Sequence, residues 1–117
     1  MKKILVADDD NDLRDFLSDE LSSAGYSVTS VRNGADAVVE AVEGRYDLVL
    51  MDMYMPGLDG MQAIRVLRKV APRLPVIGLT GYVGRGYMSE AMSYDVTCLS
   101  KPVNLAELLT EVREKLR

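Results

Sequence analysis

Short apolar runs alternate five times with longer amphipathic stretches along this chain. The apolar runs are predicted to be strands at residues 3–7, 27–31, 47–51, 75–79 and 97–100. Between them, apolar residues recur at the three- and four-residue spacing of a helix that has one buried face. Strands that alternate with helices in this way predict an α/β fold, with a five-stranded parallel sheet and helices on both faces.

The amphipathic stretches predict where the helices lie and which residues face inward. In the first helix, over 11–24, and in the second, over 35–42, the predicted inward residues are Leu13, Phe16, Leu17, Leu21, Ala37, Val38, Ala41 and Val42. Side chains that can cap the N-terminus of a helix stand at Asp10 or Asp12, at Asp59 and at Asn104. Glycines at 81, 84 and 86 disfavour a helix there, so we expect a long loop followed by a short helix over 87–94.

Composition indicates one domain over residues 1–117 and excludes several classes of protein. The chain has no apolar run of about 20 residues, so we expect no membrane span and a cytoplasmic location. Its net charge of −4 comes from the first twenty residues, with no basic patch to suit nucleic acid. The absence of histidine excludes phosphohistidine chemistry on this chain, and Cys98, the single cysteine, excludes an internal disulfide.

Polar side chains follow four of the predicted strands at the point where each strand ends. Asp8 and Asp9 follow the first strand, Asp52 the third, Thr80 the fourth and Lys101 the fifth. In a doubly wound sheet of order 2-1-3-4-5, the ends of the first and third strands flank the point where ligands bind. We therefore expect these side chains to meet at one edge of the sheet.

Three carboxylates that crowd together repel one another unless a cation lies between them. Carboxylate oxygens suit Mg²⁺, which would also neutralise an incoming phosphoryl group. Asp52 is then a candidate nucleophile that forms an acyl phosphate. Lys101 and Thr80 supply a positive charge and a hydroxyl for the phosphoryl oxygens.

These residues, together with the sequence Met-Asp-Met-Tyr-Met-Pro-Gly-Leu-Asp-Gly at 51–60 and Lys101 followed by Pro102, closely resemble the receiver domains of bacterial response regulators. The resemblance covers nearly the whole chain and is to receivers such as those of the chemotaxis-type single-domain proteins. It implies a flavodoxin-like receiver fold and a phosphorylation-dependent signalling switch. A receiver promotes only its own phosphotransfer and dephosphorylation, so the resemblance implies no separate enzyme activity.

The same resemblance assigns roles within the site. It implies that Asp9 and Asp52 bind Mg²⁺ directly with the backbone carbonyl of Tyr54, and that Asp8 acts mainly through water. It also implies a cis peptide bond between Lys101 and Pro102, which would aim the lysine inward.

Partners also follow from the resemblance. The phosphoryl donor would be a sensor histidine kinase or a histidine phosphotransfer protein, which docks on the first helix in relatives. The downstream protein would bind the face built from the fourth helix, the fifth strand and the fifth helix. We expect a monomer or a weak dimer.

The chain departs from the usual receiver pattern in its switch region. Cys98 stands three residues before the lysine, where most receivers have tyrosine or phenylalanine. Gly81 leaves room for a phosphoryl group, and Tyr82 is the candidate to take over part of the switch role. The Thr-Gly-Tyr sequence at 80–82 is similar to a variant receiver group with a Phe-Ala-Thr-Gly-Tyr-like motif, although Gly78 and Leu79 break its first half. We expect phosphorylation to order this glycine-rich segment.

Other functions stay open at this point. A phosphorelay intermediate or phosphate sink is the second hypothesis after the switch, and the chain would also suit the front part of a longer regulator. An unphosphorylated pseudo-receiver is a third hypothesis, and the intact acids, Thr80 and Lys101 argue against it. A haloacid-dehalogenase-type phosphatase also uses an aspartate nucleophile and Mg²⁺ on a parallel sheet. That class needs a second aspartate two residues beyond the nucleophile, where this chain has Tyr54.

Overall fold

The computed structural model describes residues 1–81 and 87–117, with side chains from residue 90 onward in the second range. Five strands are present in the described chain: β1 (Lys3–Ala7), β2 (Ser27–Val31), β3 (Leu48–Asp52), β4 (Val76–Thr80) and β5 (Thr97–Ser100). All neighbours pair in parallel, in the order β2-β1-β3-β4-β5. The predicted fold class and strand order are confirmed.

The helices are α1 (Asn11–Ser23), α2 (Gly34–Glu43), α3 (Gly60–Val70), α4 (Tyr87–Ser93) and α5 (Leu105–Lys115). The side chains of Asp10, Asp59 and Asn104 accept hydrogen bonds from backbone N–H groups at the starts of α1, α3 and α5, which confirms the predicted N-terminal caps. Asn33 does the same for α2. The predicted long loop falls partly on residues 82–86, outside the described residues.

The sheet is covered on both faces, which explains why its central strands are apolar without alternation. One core cluster lies between the sheet and the helices α2, α3 and α4, and it includes Leu5, Val49 and Ile64. The other lies between the sheet and α1 and α5, and it includes Ile4, Leu50 and Leu108. Every residue of β3 and β4 is buried.

The prediction that Phe16 and Val42 face inward is wrong. Phe16 is 42% exposed and Val42 is 57% exposed. Leu17 and Leu21, four residues apart, define the buried stripe of α1, and Arg14 occupies its third position. Phe16 lies one residue to the side of that stripe, and the helical rotation of about 100° per residue turns it to solvent.

Two strands, β3 and β4, begin and end one residue later than predicted. Asp52 and Thr80 are the last residues of β3 and β4 and do not follow them. Asp52 pairs with Leu79, and Thr80 pairs with Ser100, so the ladder continues through both polar residues. Their side chains are therefore held by sheet pairing and not by a free loop.

The segment between β3 and α3 turns tightly and brings the start of α3 back against the end of β3. Gly57 has a φ of +78°, a conformation that costs other residues energy and favours glycine. Gly60, the first residue of α3, is so close to β3 that a Cβ atom there would overlap the carbonyl oxygen of Asp52 and the Cα of Met53. This close approach seats the start of α3 directly beside Asp52.

Candidate functional site

Three carboxylates meet at the carboxyl edge of the sheet, as the sequence predicts. Asp8, Asp9 and Asp52 each offer an oxygen, and these three atoms lie within 4.8 Å of one another. The ends of β1 and β3 meet because these strands are hydrogen-bonded neighbours. Asp8 is fully buried and Asp52 is 3% exposed, whereas Asp9 is exposed.

The turn after β1 holds Asp8 in place. Its Oδ1 accepts a hydrogen bond from the backbone N–H of Asp10 at 2.9 Å. Its backbone carbonyl accepts one from the Arg14 guanidinium at 2.8 Å, and Arg14 also donates to Oδ1 of Asn11. Arg14 is a positioning residue that the sequence reasoning missed, although a single arginine in a strongly acidic segment was a usable signal.

Lys101 bridges two of the carboxylates. Its Nζ lies 3.2 Å from Oδ2 of Asp8 and 3.3 Å from Oδ1 of Asp52. The backbone N–H of Lys101 donates to the carbonyl of Thr80 at 2.8 Å, which extends the β4–β5 pairing by one bond. The peptide bond between Lys101 and Pro102 is cis.

The site perturbs the ionisation of Asp52. Burial and the negative charge of Asp8 raise its pKa from 3.8 to about 7, although the Tyr54 N–H and Lys101 act in the opposite direction. That N–H lies 3.2 Å from Oδ1 of Asp52. Burial alone would lower the pKa of Lys101, but the charges of Asp52 and Asp8 outweigh it and raise that pKa. The lysine is therefore cationic, whereas the Asp52 carboxylate is destabilised enough to be partly protonated near neutral pH.

The donor set matches a hard divalent cation. If all three carboxylates were ionised, the cluster with its one ammonium group would carry a formal charge of −2, and its two inner acids are buried. Oxygen ligands at this spacing suit Mg²⁺. Among the described residues Lys101 is the cation paired with these acids, and the raised pKa of Asp52 shows that it balances their charge only in part.

The remaining predicted site residues lie around this cluster. Thr80 is buried at the end of β4, the strand between β3 and β5. Gly81 is exposed, and a Cβ atom built on it would meet no other atom within 4 Å. Tyr54 is 61% exposed beside Asp52, and Tyr82 lies outside the described residues.

Cys98 is half-buried and packs against the core cluster that lies between the sheet and the helices α2, α3 and α4. Its Sγ approaches Gly78, where a Cβ atom would lie only 2.9 Å from the sulfur. Burial raises the pKa of its thiol, which favours the neutral form. Cys98 therefore acts as a small, partly buried packing residue at the position where most receivers have an aromatic ring.

Residues 4–113 match the sequence model of the family described as response regulator receiver domain. The chain therefore belongs to this family of signalling domains. The response regulator receiver protein CpdR of Brucella abortus (strain 2308) is 38% identical over 117 residues, which are 99% of this chain and 98% of that protein. The transcriptional regulatory protein HprR of Escherichia coli K12 is 37% identical over 120 residues, which are 98% of this chain and 52% of HprR.

Solved structures agree with this assignment. The response regulator TrrA of Thermotoga maritima, in complex with Mg²⁺ and beryllofluoride, has a TM-score of 0.90 and 34% identity, and the match covers 99% of this chain and all of TrrA. The receiver domain of the sensor histidine kinase PA1611 of Pseudomonas aeruginosa has a magnesium ion in its active-site cleft. It has a TM-score of 0.90 and 33% identity, covering 98% of this chain and 97% of that one.

Relatives of this chain differ in length. It spans nearly all of CpdR but only about half of HprR and of the Bacillus subtilis regulator YkoG. In the part of the chain that the structure describes, no helix combines the length and apolar character that crossing a membrane would require.

Proposed function

We propose that residues 1–117 form one receiver domain in which Asp52 accepts a phosphoryl group. The observation that carries this proposal is the cluster of Asp8, Asp9 and Asp52 with Lys101 at the carboxyl edge of the sheet. A sensor histidine kinase or a histidine phosphotransfer protein supplies the phosphoryl group, since this chain has no histidine of its own.

In the proposed step, a carboxylate oxygen of Asp52 forms a bond to phosphorus. The bond between phosphorus and the donor nitrogen breaks, and its electron pair stays on the imidazole. Lys101 holds its positive charge beside Asp52 and places it near the incoming phosphoryl oxygens. The Thr80 hydroxyl binds another of these oxygens, and the open space at Gly81 admits the group.

Asp9 and Asp52 would bind Mg²⁺ directly with the backbone carbonyl of Tyr54, and Asp8 would act through water. The bound cation neutralises the crowded carboxylates and the phosphoryl oxygens. The magnesium ions in the TrrA and PA1611 structures support this choice of metal. An ionised Asp52 is then available at neutral pH despite its raised pKa.

The signal passes to other proteins by contact. We assign the donor contact to α1 and the downstream contact to the face of α4, β5 and α5, in a protein that acts in the cytoplasm. The domain carries out no chemistry beyond its own phosphotransfer and dephosphorylation. Because Cys98 replaces the usual aromatic residue, we assign part of the switch role to Tyr82 and to ordering of the glycine-rich segment.

The test is the intact mass after incubation with acetyl phosphate and Mg²⁺. We expect a gain of one phosphoryl group that disappears with a chelator and in Asp52→Asn. Asp15→Asn, which removes an exposed acid on α1, is the matched control and should react like the parent. A gain that persists in Asp52→Asn would place the acceptor elsewhere. No gain with any donor, including a cognate kinase, would make the chain a pseudo-receiver.

A further inference from the structure

Four exposed valines lie on the outer sides of α2 and α3. Val39 and Val42 on α2 are 52% and 57% exposed, and Val66 and Val70 on α3 are 37% and 55% exposed. The other large exposed apolar side chains of the described residues are scattered over different elements: Met1, Phe16, Tyr54 and Met92. We name the outer side of these two helices the α2–α3 face.

The two helices run side by side from start to end. Gly34, the first residue of α2, lies against the backbone of Leu58 and Asp59, just before α3 begins. At the other end, Ala41 and Gly44 line the same cavity as Ala71, just after α3 ends. Residues equally far from the starts of the two helices therefore lie at the same height along the helix axes. Glu43 and Lys69, near the carboxyl ends of α2 and α3, are such a pair.

Helical geometry orders the side chains across this face. Glu40 lies on the side of α2 that faces away from α3, where it accepts a hydrogen bond from Tyr46. Arg65 lies on the side of α3 that faces away from α2, where it pairs with Glu90 of α4. With 100° of rotation per residue, Val42 and Val70 lie on the sides of the helices that face each other. The valines thus form the centre of the face.

Charge is divided between the two halves of the face. The acids of α2 are Asp36, Glu40 and Glu43, with no base, and the bases of α3 are Arg65, Arg68 and Lys69, with no acid. Most of these charges already have partners, since Arg68, for example, donates to the carbonyls of Tyr94 and Leu74. Glu43 and Lys69 are exposed and have no ion-pair partner among the described residues.

We propose that the α2–α3 face binds a second copy of this chain. A two-fold axis parallel to the helices places α2 of each copy on α3 of the other, so valines meet valines and acids meet bases. Glu43 of each copy then lies opposite Lys69 of the other at the same height. An axis across the helices would place acid on acid, and a partner of uniform charge would be repelled by one half of the face.

The size of the face makes this dimer weak. Helices of 10 and 11 residues are about 16 Å long and pack about 10 Å apart, so the face covers on the order of 300–400 Å². Stable interfaces bury about 800 Å² per partner. Association should therefore depend on concentration and weaken as salt screens the charged flanks. The inference does not depend on phosphorylation of Asp52.

The experiment is sedimentation velocity of the full chain over a range of concentrations at low ionic strength. We expect reversible association of the parent protein, and about a tenfold or greater weakening in Glu43→Lys and in Lys69→Glu, because each change converts two attractive pairs per dimer into repulsive ones. The double variant E43K/K69E should recover parental association. An equimolar mixture of the two single variants should also associate, since each repels itself but complements the other.

Asp19→Lys, on the exposed side of α1, makes the same charge change away from the face and should associate like the parent. Val39→Ser should weaken association without altering charge, which keeps the test decisive if a charge reversal disturbs folding. A parent that stays monomeric at every concentration would overturn the proposal. So would a mixture of single variants that fails to associate, or an Asp19→Lys effect equal to that of Glu43→Lys.

Discussion

The ammonium group of Lys101 lies beside two buried carboxylates in this protein. Lys101 Nζ is within 3.3 Å of both Asp8 and Asp52, yet the pKa of Asp52 is still raised to about 7. Burial and the Asp8 charge therefore outweigh the lysine. The site is built to be balanced by a further cation, and its own charges oppose folding while that cation is absent.

This balance predicts how stability changes when the charge of Asp52 is removed. Because the folded-state pKa of Asp52 lies above its ordinary value of 3.8, stability falls as pH rises from about 4 through about 7. Asp52→Asn should therefore raise the free energy of unfolding at pH 8 without metal, by roughly 2–4 kcal/mol. The gain should be much smaller at pH 5, where Asp52 of the parent is protonated.

Urea unfolding of both proteins at pH 5 and pH 8, in a chelator, measures this difference. Adding Mg²⁺ at pH 8 should narrow it, because the cation stabilises the ionised parent. An equal gain at the two pH values would show that the charge of Asp52 is not the cause.

At the scale of elements, the position of Asp52 depends on how closely α3 begins against β3. The two elements are consecutive in the chain, and the tight return through Gly57 allows the first residue of α3 to lie against the backbone of Asp52. The capping box formed by Asp59 and Gln62 holds the start of this helix. The helix start and the strand end thus form one rigid unit beside the site.

Two glycine substitutions test this contact. Gly60→Ala should lower the free energy of unfolding by about 2 kcal/mol or more, because its Cβ would overlap backbone atoms that cannot move aside. Gly81→Ala should change it by no more than about 0.5 kcal/mol, because its Cβ would point into open space. Denaturant unfolding compares the two. Similar losses in both variants would mean that the close approach of α3 is not what makes Gly60 necessary.

At the scale of the whole molecule, the acid cluster joins segments that are distant in sequence. Asp8 and Asp9 follow β1, Asp52 ends β3, and Lys101 follows β5. A ligand bound at this edge contacts only the folded state, because the segments separate on unfolding. Binding must then raise stability in proportion to the logarithm of the ligand concentration once the site is saturated.

Magnesium should therefore raise the melting temperature of the parent protein. A concentration ten times the dissociation constant should add about 1.4 kcal/mol, or roughly 5 °C for a domain of this size. Asp9→Asn removes an exposed carboxylate, so it should leave metal-free stability nearly unchanged and lose most of the shift. Asp15→Asn should keep the full shift. Calorimetry with and without Mg²⁺ tests this, and a full shift in Asp9→Asn would exclude Asp9 as a ligand.

Much of the architecture was predictable from the sequence because its signals are local. Apolar runs indicate strands, helical spacing indicates helices, and Asp10, Asp59 and Asn104 mark the starts of three helices. Where consecutive parallel strands are joined by right-handed crossovers, few strand orders remain. The order β2-β1-β3-β4-β5 then brings Asp8, Asp9 and Asp52 to one edge, as predicted.

Side-chain burial was less predictable, because it depends on contacts with distant parts of the chain. Phe16 is apolar but exposed, whereas Arg14 is polar and buried, since its guanidinium reaches the carbonyl of Asp8. Helical spacing identifies a stripe of positions but does not identify the edge of that stripe. The outer side of α2 shows the same effect at Val42.

The sequence by itself determined the fold class and the set of acids that stand at strand ends, because periodicity depends on neighbouring residues, and crossover handedness left few strand orders open. Only the tertiary structure decided that Lys101 lies between Asp8 and Asp52, that Gly60 contacts the backbone of Asp52, and that acids and bases flank four valines on the α2–α3 face. These features depend on distances between elements, and packing sets such distances from residues far apart in the chain.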